Sequence, residues 1–165
     1  TFRPITEDAV DEHQIHTEWC TLRPEVAQEI NQTKLSGGRV IAVGTTSVRV
    51  LETAAREGLL QVPEKAYPER NRNGTCLGLE ECAEVGRTCP WRTVAPFEGF
   101  TNLYITPGFD FRVVDAMITN FHLPKSTLLA LVMAFAGEEN IRHAYTEAIA
   151  RRYRFFSLGD AMLIV

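Results

Sequence analysis

Two short segments of the chain carry side chains that could bind or react with a small molecule, and each follows an apolar stretch. Residues 44–47 read Gly-Thr-Thr-Ser and follow the stretch 39–43, whereas residues 120–122 read Asn-Phe-His and follow the stretch 112–119. Hydroxyls and backbone N–H groups between a strand and a helix can hold an anion or a ribose, and an imidazole can transfer protons. If both stretches are parallel strands, the two segments converge at the sheet edge where α/β proteins bind ligands. The candidate residues are Gly44, Thr45, Thr46, Ser47, Asn120, Phe121 and His122.

The segment 44–47 also has a purely structural explanation. It lacks both the Gly-Lys-Ser/Thr end of a P-loop and the glycine spacing of a dinucleotide-binding fingerprint. Thr45 or Thr46 could instead cap the helix that follows. A role in binding and a role in capping are both open at this point.

Acidic and imidazole side chains at two further places could take part in acid–base chemistry. Asp115 is the one acid within the predicted strand 112–119, where a buried carboxylate either accepts structural hydrogen bonds or is tuned for chemistry. His13, His16 and Glu18 lie within six residues and could bind a metal or transfer protons. Their spacing fits no common zinc motif, so a structural role is open here too.

Three of the four cysteines lie in one segment. Cys76, Cys82 and Cys89 follow the spacing C-x5-C-x6-C, without the closely spaced pairs that zinc sites prefer. Thiols in a surface loop are therefore favoured over a zinc site, and we expect no metal. Disulfides are not expected, since no secretory signal precedes these cysteines.

The basic residues are concentrated near the end of the chain. The formal net charge of −4 predicts no general affinity for nucleic acid. Arg142, Arg151, Arg152 and Arg154 nevertheless lie within thirteen residues, interleaved with tyrosine and phenylalanine. Cations mixed with aromatic rings are typical of surfaces that bind nucleic acid, but a solvated helix end has the same composition.

The elements that must position these residues alternate between helix and strand, as in an α/β sheet protein. The longest irregular region, at about 58–99, is predicted to be a poorly ordered insertion that contains the cysteines. Ser126 is expected to cap a helix that is apolar on nearly all sides and therefore buried. The predicted elements are a short strand before residue 23, a helix from Pro24 to the glycines 37–38, a strand at 39–43, a helix from Val48 through Ala55, strands at 101–105 and 112–119, the Ser126-capped helix, a surface helix with the apolar stripe Ile141, Ala144, Tyr145, Ala148 and Ile149, and a strand at 161–165.

Length and composition place the chain among single globular domains. It has 165 residues, of which 45% are hydrophobic and 23% charged, so a hydrophobic core can form. No apolar run is long enough for a membrane helix, and the acidic first residues do not form a signal peptide. We therefore expect a cytoplasmic protein. Because the chain begins at Thr1 and not at Met, we also expect it to be trimmed or part of a longer protein.

Several longer motifs make the chain recognisable. They are the segments 1–4 (TFRP), 12–19 (EHQIHTEW), 44–49 (GTTSVR), 107–109 (PGF), 113–128 (VVDAMITNFHLPKSTL), 135–137 (FAG), 153–157 (YRFFS) and 159–162 (GDAM). In these motifs the chain resembles the S-adenosylmethionine:tRNA ribosyltransferase-isomerases of queuosine biosynthesis. The resemblance covers nearly all of the chain except about 58–99, and the motif around His122 is specific to that family.

The resemblance implies that the chain is the C-terminal part of an α/β catalytic domain. Family members are about twice as long, so the inserted β-barrel domain and the first part of the core are expected to be absent. The implied fold is an incomplete α/β domain, with a mixed, partly parallel sheet flanked by helices. Two departures stand out: the cysteine-bearing segment is longer than usual, and Thr106 stands where an aromatic residue is common. The isolated fragment is expected to be inactive and to associate through its exposed sheet edge, whereas the full-length enzyme is expected to be monomeric.

The reaction implied by the resemblance moves the ribosyl part of S-adenosylmethionine onto 7-aminomethyl-7-deazaguanine in tRNA. The ribose is rearranged, adenine and methionine leave, and epoxyqueuosine forms. S-adenosylmethionine is then a consumed substrate, and no cofactor is implied. The implied roles are sulfonium contact for Asp115, Glu18 and Glu52, proton transfer for His122, His16 and His13, hydroxyl or anion binding for Thr45, Thr46 and Ser47, and tRNA phosphate contact for Arg49, Arg152 and Arg154. The alternative is a non-catalytic module that binds tRNA or is stabilised by zinc.

Overall fold

Two small sheets and four helices make up the part of the chain that the computed structural model describes, residues 17–60 and 93–165. In chain order these elements are β1 (Glu18–Leu22), α1 (Pro24–Leu35), β2 (Ile41–Val43), α2 (Thr45–Leu60), β3 (Phe97–Thr101), β4 (Ala116–Asn120), α3 (Thr127–Ala136), α4 (Glu138–Ala150), a 3₁₀ turn (Phe156–Leu158) and β5 (Ala161–Ile164).

The larger sheet is mixed, and its strand order is β2-β4-β5. β2 runs parallel to β4, with Val43 opposite Ile118, and β4 runs antiparallel to β5, with Asn120 opposite Ala161. The smaller sheet pairs β1 with β3 in antiparallel register. The expected mixed, partly parallel sheet flanked by helices is thus confirmed.

One face of the larger sheet packs against helices, and several large side chains on the other face are exposed. Ala42 and Met117 are buried in the core with Val48 of α2 and Leu131 of α3. Side chains alternate between the faces of a strand, so the neighbours of Ala42 point the other way. Ile41, Val43 and Leu163 are accordingly 47%, 67% and 63% exposed. α2 contacts both sheets and so connects the two halves of the described fold.

The helices follow the sequence signals closely. α1 begins at Pro24, as predicted, and ends before Gly37, which has a φ of 75° that favours glycine. The Ser126 hydroxyl accepts a hydrogen bond from the Leu129 N–H at 3.2 Å, which confirms the predicted cap of α3. Every side chain of α3 is buried or half-buried. In α4 the predicted apolar stripe is wrong at one position, because Ile149 is 65% exposed.

Two predicted strands are misplaced. The strand expected at 101–105 lies at Phe97–Thr101 instead, and the Thr101 hydroxyl accepts a hydrogen bond from the Leu103 N–H at 3.2 Å, where the ladder ends. The strand expected at 112–119 begins only at Ala116, since the N–H groups of residues 112–114 donate to the Glu52 carboxylate. The predicted irregular region at 58–99 is also too long, because α2 continues to Leu60 and β3 begins at Phe97. The cysteines 76, 82 and 89 lie outside the described residues.

Candidate functional site

The two candidate segments meet at the carboxyl edge of the β2–β4 pair. The Gly44 N–H donates to the Ile118 carbonyl at 2.8 Å, which places the start of α2 beside the residues that follow β4. Gly44 has a φ of 86°, a conformation that side chains larger than hydrogen rarely adopt. The predicted convergence of 44–47 with 120–122 is therefore confirmed.

The first segment is the start of a helix and not a turn. α2 begins at Thr45, so Thr45, Thr46 and Ser47 form its first turn, and the idea that Thr45 or Thr46 caps the helix is wrong. Thr45 is buried, Thr46 and Ser47 are exposed, and the Ser47 hydroxyl donates to the Val43 carbonyl at 2.8 Å. The first N–H groups of a helix have no partner within it and, with the helix dipole, favour anions. This end of α2 can thus accept an anionic or hydroxyl-rich ligand.

His122 is held by its ring and by its backbone. Its Nε2 lies 2.8 Å from the Thr119 hydroxyl. Its N–H donates to the Tyr145 hydroxyl at 2.7 Å, and that hydroxyl is 3.2 Å from the His122 carbonyl, to which it donates. Burial lowers the pKa of His122 below its ordinary value, and burial raises that of Tyr145. Thr119, His122 and Tyr145 are called the His122 cluster below.

The loop before His122 is fixed by aromatic packing. Phe121 is buried, and its ring centroid lies 5.4 Å from that of Tyr145, 5.8 Å from Tyr153 and 5.2 Å from Phe155. The Asn120 side-chain amide donates to the Asp160 carbonyl at 3.3 Å. Phe121 therefore positions the loop from within, whereas the half-buried Asn120 lies between the loop and β5.

Asp115 lies at the other end of the sheet. Its carboxylate pairs with Lys34 Nζ at 2.6 Å and accepts the Val40 N–H at 2.7 Å. Burial by itself would raise the pKa of Asp115, but the hydrogen bonds from Lys34 and Val40 and the charges of Lys34 and Arg39 outweigh it, so that the pKa lies below its ordinary value. β4 runs away from Asp115 towards His122, a length of about 16 Å for five residues. Asp115 thus precedes the strand that was expected to contain it, and the structure does not bring it to His122.

Glu52 is enclosed by the protein. Its side chain is 0% exposed, and its carboxylate accepts the N–H groups of Arg112, Val113 and Val114 at 3.0 to 3.2 Å. Arg56 Nη1 lies 3.2 Å from Oε2. Glu52, Arg56 and the backbone of 112–114 are called the Glu52 cluster below. This placement contradicts the expected substrate contact, because no carboxylate surface is left for a ligand.

Arg49 and Glu18 pair with each other. Arg49 is 3% exposed, and its Nη1 lies 2.6 Å from Glu18 Oε2 while its Nε donates to the Leu103 carbonyl at 3.0 Å. A guanidinium buried in this way cannot meet a tRNA phosphate, so that expectation is wrong for Arg49. The pair instead ties β1 to α2.

Arg152 and Arg154 are exposed at the end of α4. Arg152 has a φ of 59° and ends the helix, with its N–H bonded to the Ile149 carbonyl at 3.0 Å. Arg154 pairs with Asp160 at 3.1 Å. Contact with tRNA stays a prediction for both residues.

His13 and His16 lie outside the described residues, as do the three clustered cysteines. Within 17–60 and 93–165, no three histidine, cysteine or acidic side chains are grouped so that they could hold a metal ion. No helix in these ranges is both long and apolar enough to cross a membrane.

Sequence reasoning missed two members of the His122 cluster. The sequence predicts Thr119 only as a strand residue, although it places this hydroxyl three residues before a histidine. It predicts Tyr145 as part of an apolar stripe, and the contact of Tyr145 with the His122 backbone, 23 residues away, has no local signature.

A partly parallel sheet with a helix N-terminus and a histidine loop at its carboxyl edge defines an α/β protein, and this edge is where proteins of that class generally bind small molecules. The chain belongs to the family described as queuosine biosynthesis protein, whose model matches residues 1–164. It is 46% identical over 164 residues to an S-adenosylmethionine:tRNA ribosyltransferase-isomerase of Ralstonia nicotianae, covering 99% of this chain and 37% of that protein. The corresponding protein of Desulforamulus reducens is 45% identical over 165 residues, covering 100% of this chain and 39% of the relative.

A solved structure is similar as well. The crystal structure of S-adenosylmethionine tRNA ribosyltransferase from Thermotoga maritima matches with a TM-score of 0.65 and 41% identity, over 89% of this chain and 40% of that one. The resemblance read from the motifs is thereby confirmed at the level of the family. The chain spans less than two-fifths of the length of the two relatives just named.

Proposed function

We propose that the intact gene product carrying this sequence transfers the ribosyl part of S-adenosylmethionine to a 7-aminomethyl-7-deazaguanine base in tRNA and rearranges it to epoxyqueuosine. The relatives carry the name S-adenosylmethionine:tRNA ribosyltransferase-isomerase over matches that cover 99% or more of this chain. The observation that carries the proposal is the convergence of the α2 N-terminus with the His122 loop at one sheet edge.

The residues at this edge suit different parts of such a substrate. Thr46 and Ser47 offer exposed hydroxyls beside helix N–H groups, which are suited to ribose hydroxyls or to the methionine carboxylate. The reaction requires that adenine leaves and that a proton beside the sulfonium is removed. His122 supplies an imidazole that can contact the reacting atoms. Arg152 and Arg154, which are exposed, are suited to tRNA phosphates.

Adenine release from S-adenosylmethionine tests the proposal directly. The intact gene product is mixed with S-adenosylmethionine and tRNA bearing the 7-aminomethyl-7-deazaguanine base, and free adenine is measured alongside the mass of the modified nucleoside. We expect both products to appear only when the tRNA carries that base. Methylated tRNA without adenine would contradict the proposal, since it would make S-adenosylmethionine a methyl donor.

The 165-residue chain by itself is expected to release no adenine. It spans 37% to 39% of the two relatives named above, so groups that the reaction needs are expected in the remaining sequence. Adenine release by this chain alone would contradict that part of the proposal.

A tRNA-binding module without catalysis is the second candidate, favoured by the exposed Arg152 and Arg154 next to Tyr153, which is 44% exposed. It predicts binding of tRNA that weakens steeply with salt, with no adenine released. The adenine measurement separates the two functions.

A further inference from the structure

We propose that Thr119 is a positioning residue that fixes neutral His122 as the tautomer protonated on Nδ1, so that the ring presents an N–H donor to the substrate. The contact that carries this inference is the 2.8 Å distance between the Thr119 hydroxyl and His122 Nε2. The link to the substrate rests on the function proposed above, whereas the tautomer itself does not.

The direction of the hydrogen bond between Thr119 and His122 follows from which acceptors are near the Thr119 hydroxyl. A threonine hydroxyl has one hydrogen to donate, and a neutral imidazole has one nitrogen that donates and one that accepts. Thr119 is 4% exposed, and within the described ranges its side chain has no hydrogen-bond partner other than Nε2. If Nε2–H donated to Thr119, the hydroxyl hydrogen would be buried without an acceptor, which is unfavourable. The hydroxyl therefore donates, and Nε2 accepts.

Both partners of this hydrogen bond are attached to fixed backbone. Thr119 lies in β4 opposite Met162 of β5, so its position is set by the strand ladder. The His122 backbone is held by Tyr145, whose hydroxyl accepts from the N–H and donates to the carbonyl of that residue. The Tyr145 hydroxyl hydrogen is used in this way, which makes Tyr145 a support for the histidine and not an acid. The ring is thus held at its base and at Nε2.

The other ring nitrogen is then the one available to a ligand. No residue in the described part of the chain forms a hydrogen bond with Nδ1 of His122. Burial lowers the pKa of His122, so the neutral ring prevails at neutral pH. With its hydrogen on Nδ1, that ring can donate to a ring nitrogen of adenine or to a ribose oxygen. It cannot accept a proton at the same atom, so removal of the proton beside the sulfonium falls to another group.

Nitrogen NMR of the intact gene product, labelled with ¹⁵N only in histidine, tests the tautomer without reference to activity. Spectra are recorded near pH 8, and the His122 signals are assigned by their loss in His122→Gln. We expect a protonated Nδ1 and an unprotonated, hydrogen-bonded Nε2. A protonated Nε2, or the averaged signals of a ring that exchanges between tautomers, would overturn the proposal.

Two substitutions at Thr119 then separate positioning from mere packing. Thr119→Val keeps the shape but removes the hydroxyl, and we expect Nε2 to become protonated in part and adenine release to fall about tenfold or more. Thr119→Ser restores the hydroxyl and should restore both the signals and the rate. Thr101→Val is the matched control, since Thr101 is another buried threonine whose hydroxyl is bonded, at 2.7 Å, to Thr53. It should leave the His122 signals unchanged.

The outcomes distinguish this inference from the proposed function. Unchanged His122 signals in Thr119→Val would overturn the positioning role even if the protein is active. The expected signals in a wild-type protein that releases no adenine would instead contradict the proposed function and leave the tautomer established. If Thr119→Val does not fold, the wild-type spectrum alone decides the tautomer.

Discussion

The Glu52 cluster and the His122 cluster are both buried and polar, but they differ in how fully their hydrogen bonds are used. The carboxylate of Glu52 accepts from three backbone N–H groups and from Arg56, and it has no exposed surface. His122 is bonded at Nε2 and along its backbone, while Nδ1 has no described partner. A fully bonded polar group stabilises a fold, whereas one with an unused atom at a sheet edge is available for chemistry.

The largest expected effect is a loss of stability when the Glu52 cluster is disrupted. Glu52→Ala should lower the free energy of unfolding by about 3–5 kcal/mol, because it leaves three backbone N–H groups without an acceptor and removes the carboxylate that pairs with Arg56. Glu52→Gln should cost less, since one oxygen is kept. Urea unfolding of the intact gene product measures both. Glu138→Gln, which breaks only the exposed pair with Arg142, is the control and should cost less than about 0.5 kcal/mol.

Sequence periodicity could predict much of the fold but could not reveal the Glu52 cluster. The boundaries of α1 and the cap of α3 depend on local signals and are predicted from the sequence, and the parallel pairing of β2 with β4 is the condition on which the predicted meeting of 44–47 and 120–122 depends. The hydrogen bonds that Glu52 accepts come from backbone N–H groups about sixty residues away in sequence. Because almost every residue type has a backbone N–H, the amino-acid sequence carries no signal for such bonds. The strand expected from residue 112 was misplaced for that reason.

The same limit explains which of the predicted site residues the structure brings together. Residues 44–47 and 120–122 meet because two parallel strands end together, a consequence of strand order that can be read from sequence. The family resemblance implies substrate contacts for Arg49 and Asp115, yet their partners Glu18 and Lys34 are 31 and 81 residues away in sequence. Whether a charged side chain is bound by the protein or left for a ligand depends on such distant partners.

The next largest effect is expected for the His122 cluster, and it concerns the rate of adenine release more than the stability of the fold. His122→Ala in the intact gene product should lower the rate of adenine release about a hundredfold, within the range typical of a lost acid–base or hydrogen-bonding group. The secondary structure should persist, which circular dichroism can check. His143→Ala, on the exposed face of α4, is the control and should keep the wild-type rate. A near-normal rate for His122→Ala would remove His122 from the chemistry and with it the comparison drawn above.

Asp115 provides a third case for the comparison. Like Glu52 it is a hydrogen-bonded carboxylate, but it is half-buried and lies at the amino end of the β2–β4 pair, opposite the end that carries His122. Asp115→Asn should lower the free energy of unfolding by about 1–2 kcal/mol through weaker bonds to Lys34 and the Val40 N–H. The rate of adenine release by the folded protein should stay close to that of the wild type. Urea unfolding and the adenine assay on one preparation measure the two quantities. A rate loss as large as that of His122→Ala would show that the amino end of the sheet also serves the reaction.

The smallest expected effect is a dependence of stability on pH that arises from His122. Burial lowers its pKa below the ordinary value of 6.5, so between 6.5 and the folded pKa the unfolded chain binds more protons than the folded one. Stability should therefore decline as the pH falls below about 6.5, by at most about 1.4 kcal/mol per pH unit from this one group. Tyr145, which contacts the His122 backbone, has a raised pKa and stays neutral in this range. Asp115 has a lowered pKa, and its contribution is lost only in more acidic solution, below its ordinary value of 3.8.

Urea unfolding of the wild type and of His122→Gln at several pH values between 7.5 and 5 isolates this contribution. The decline attributable to His122 should be absent in the variant, whereas His143→Gln should retain it. If the wild type and His122→Gln lose stability in parallel, His122 takes up its proton as easily in the folded protein as in the unfolded chain. The His122 ring would then be better solvated than its contacts with Thr119 and Tyr145 imply. The Glu52 and His122 clusters would in that case differ in solvent exposure and not in whether a hydrogen-bonding atom is left unused.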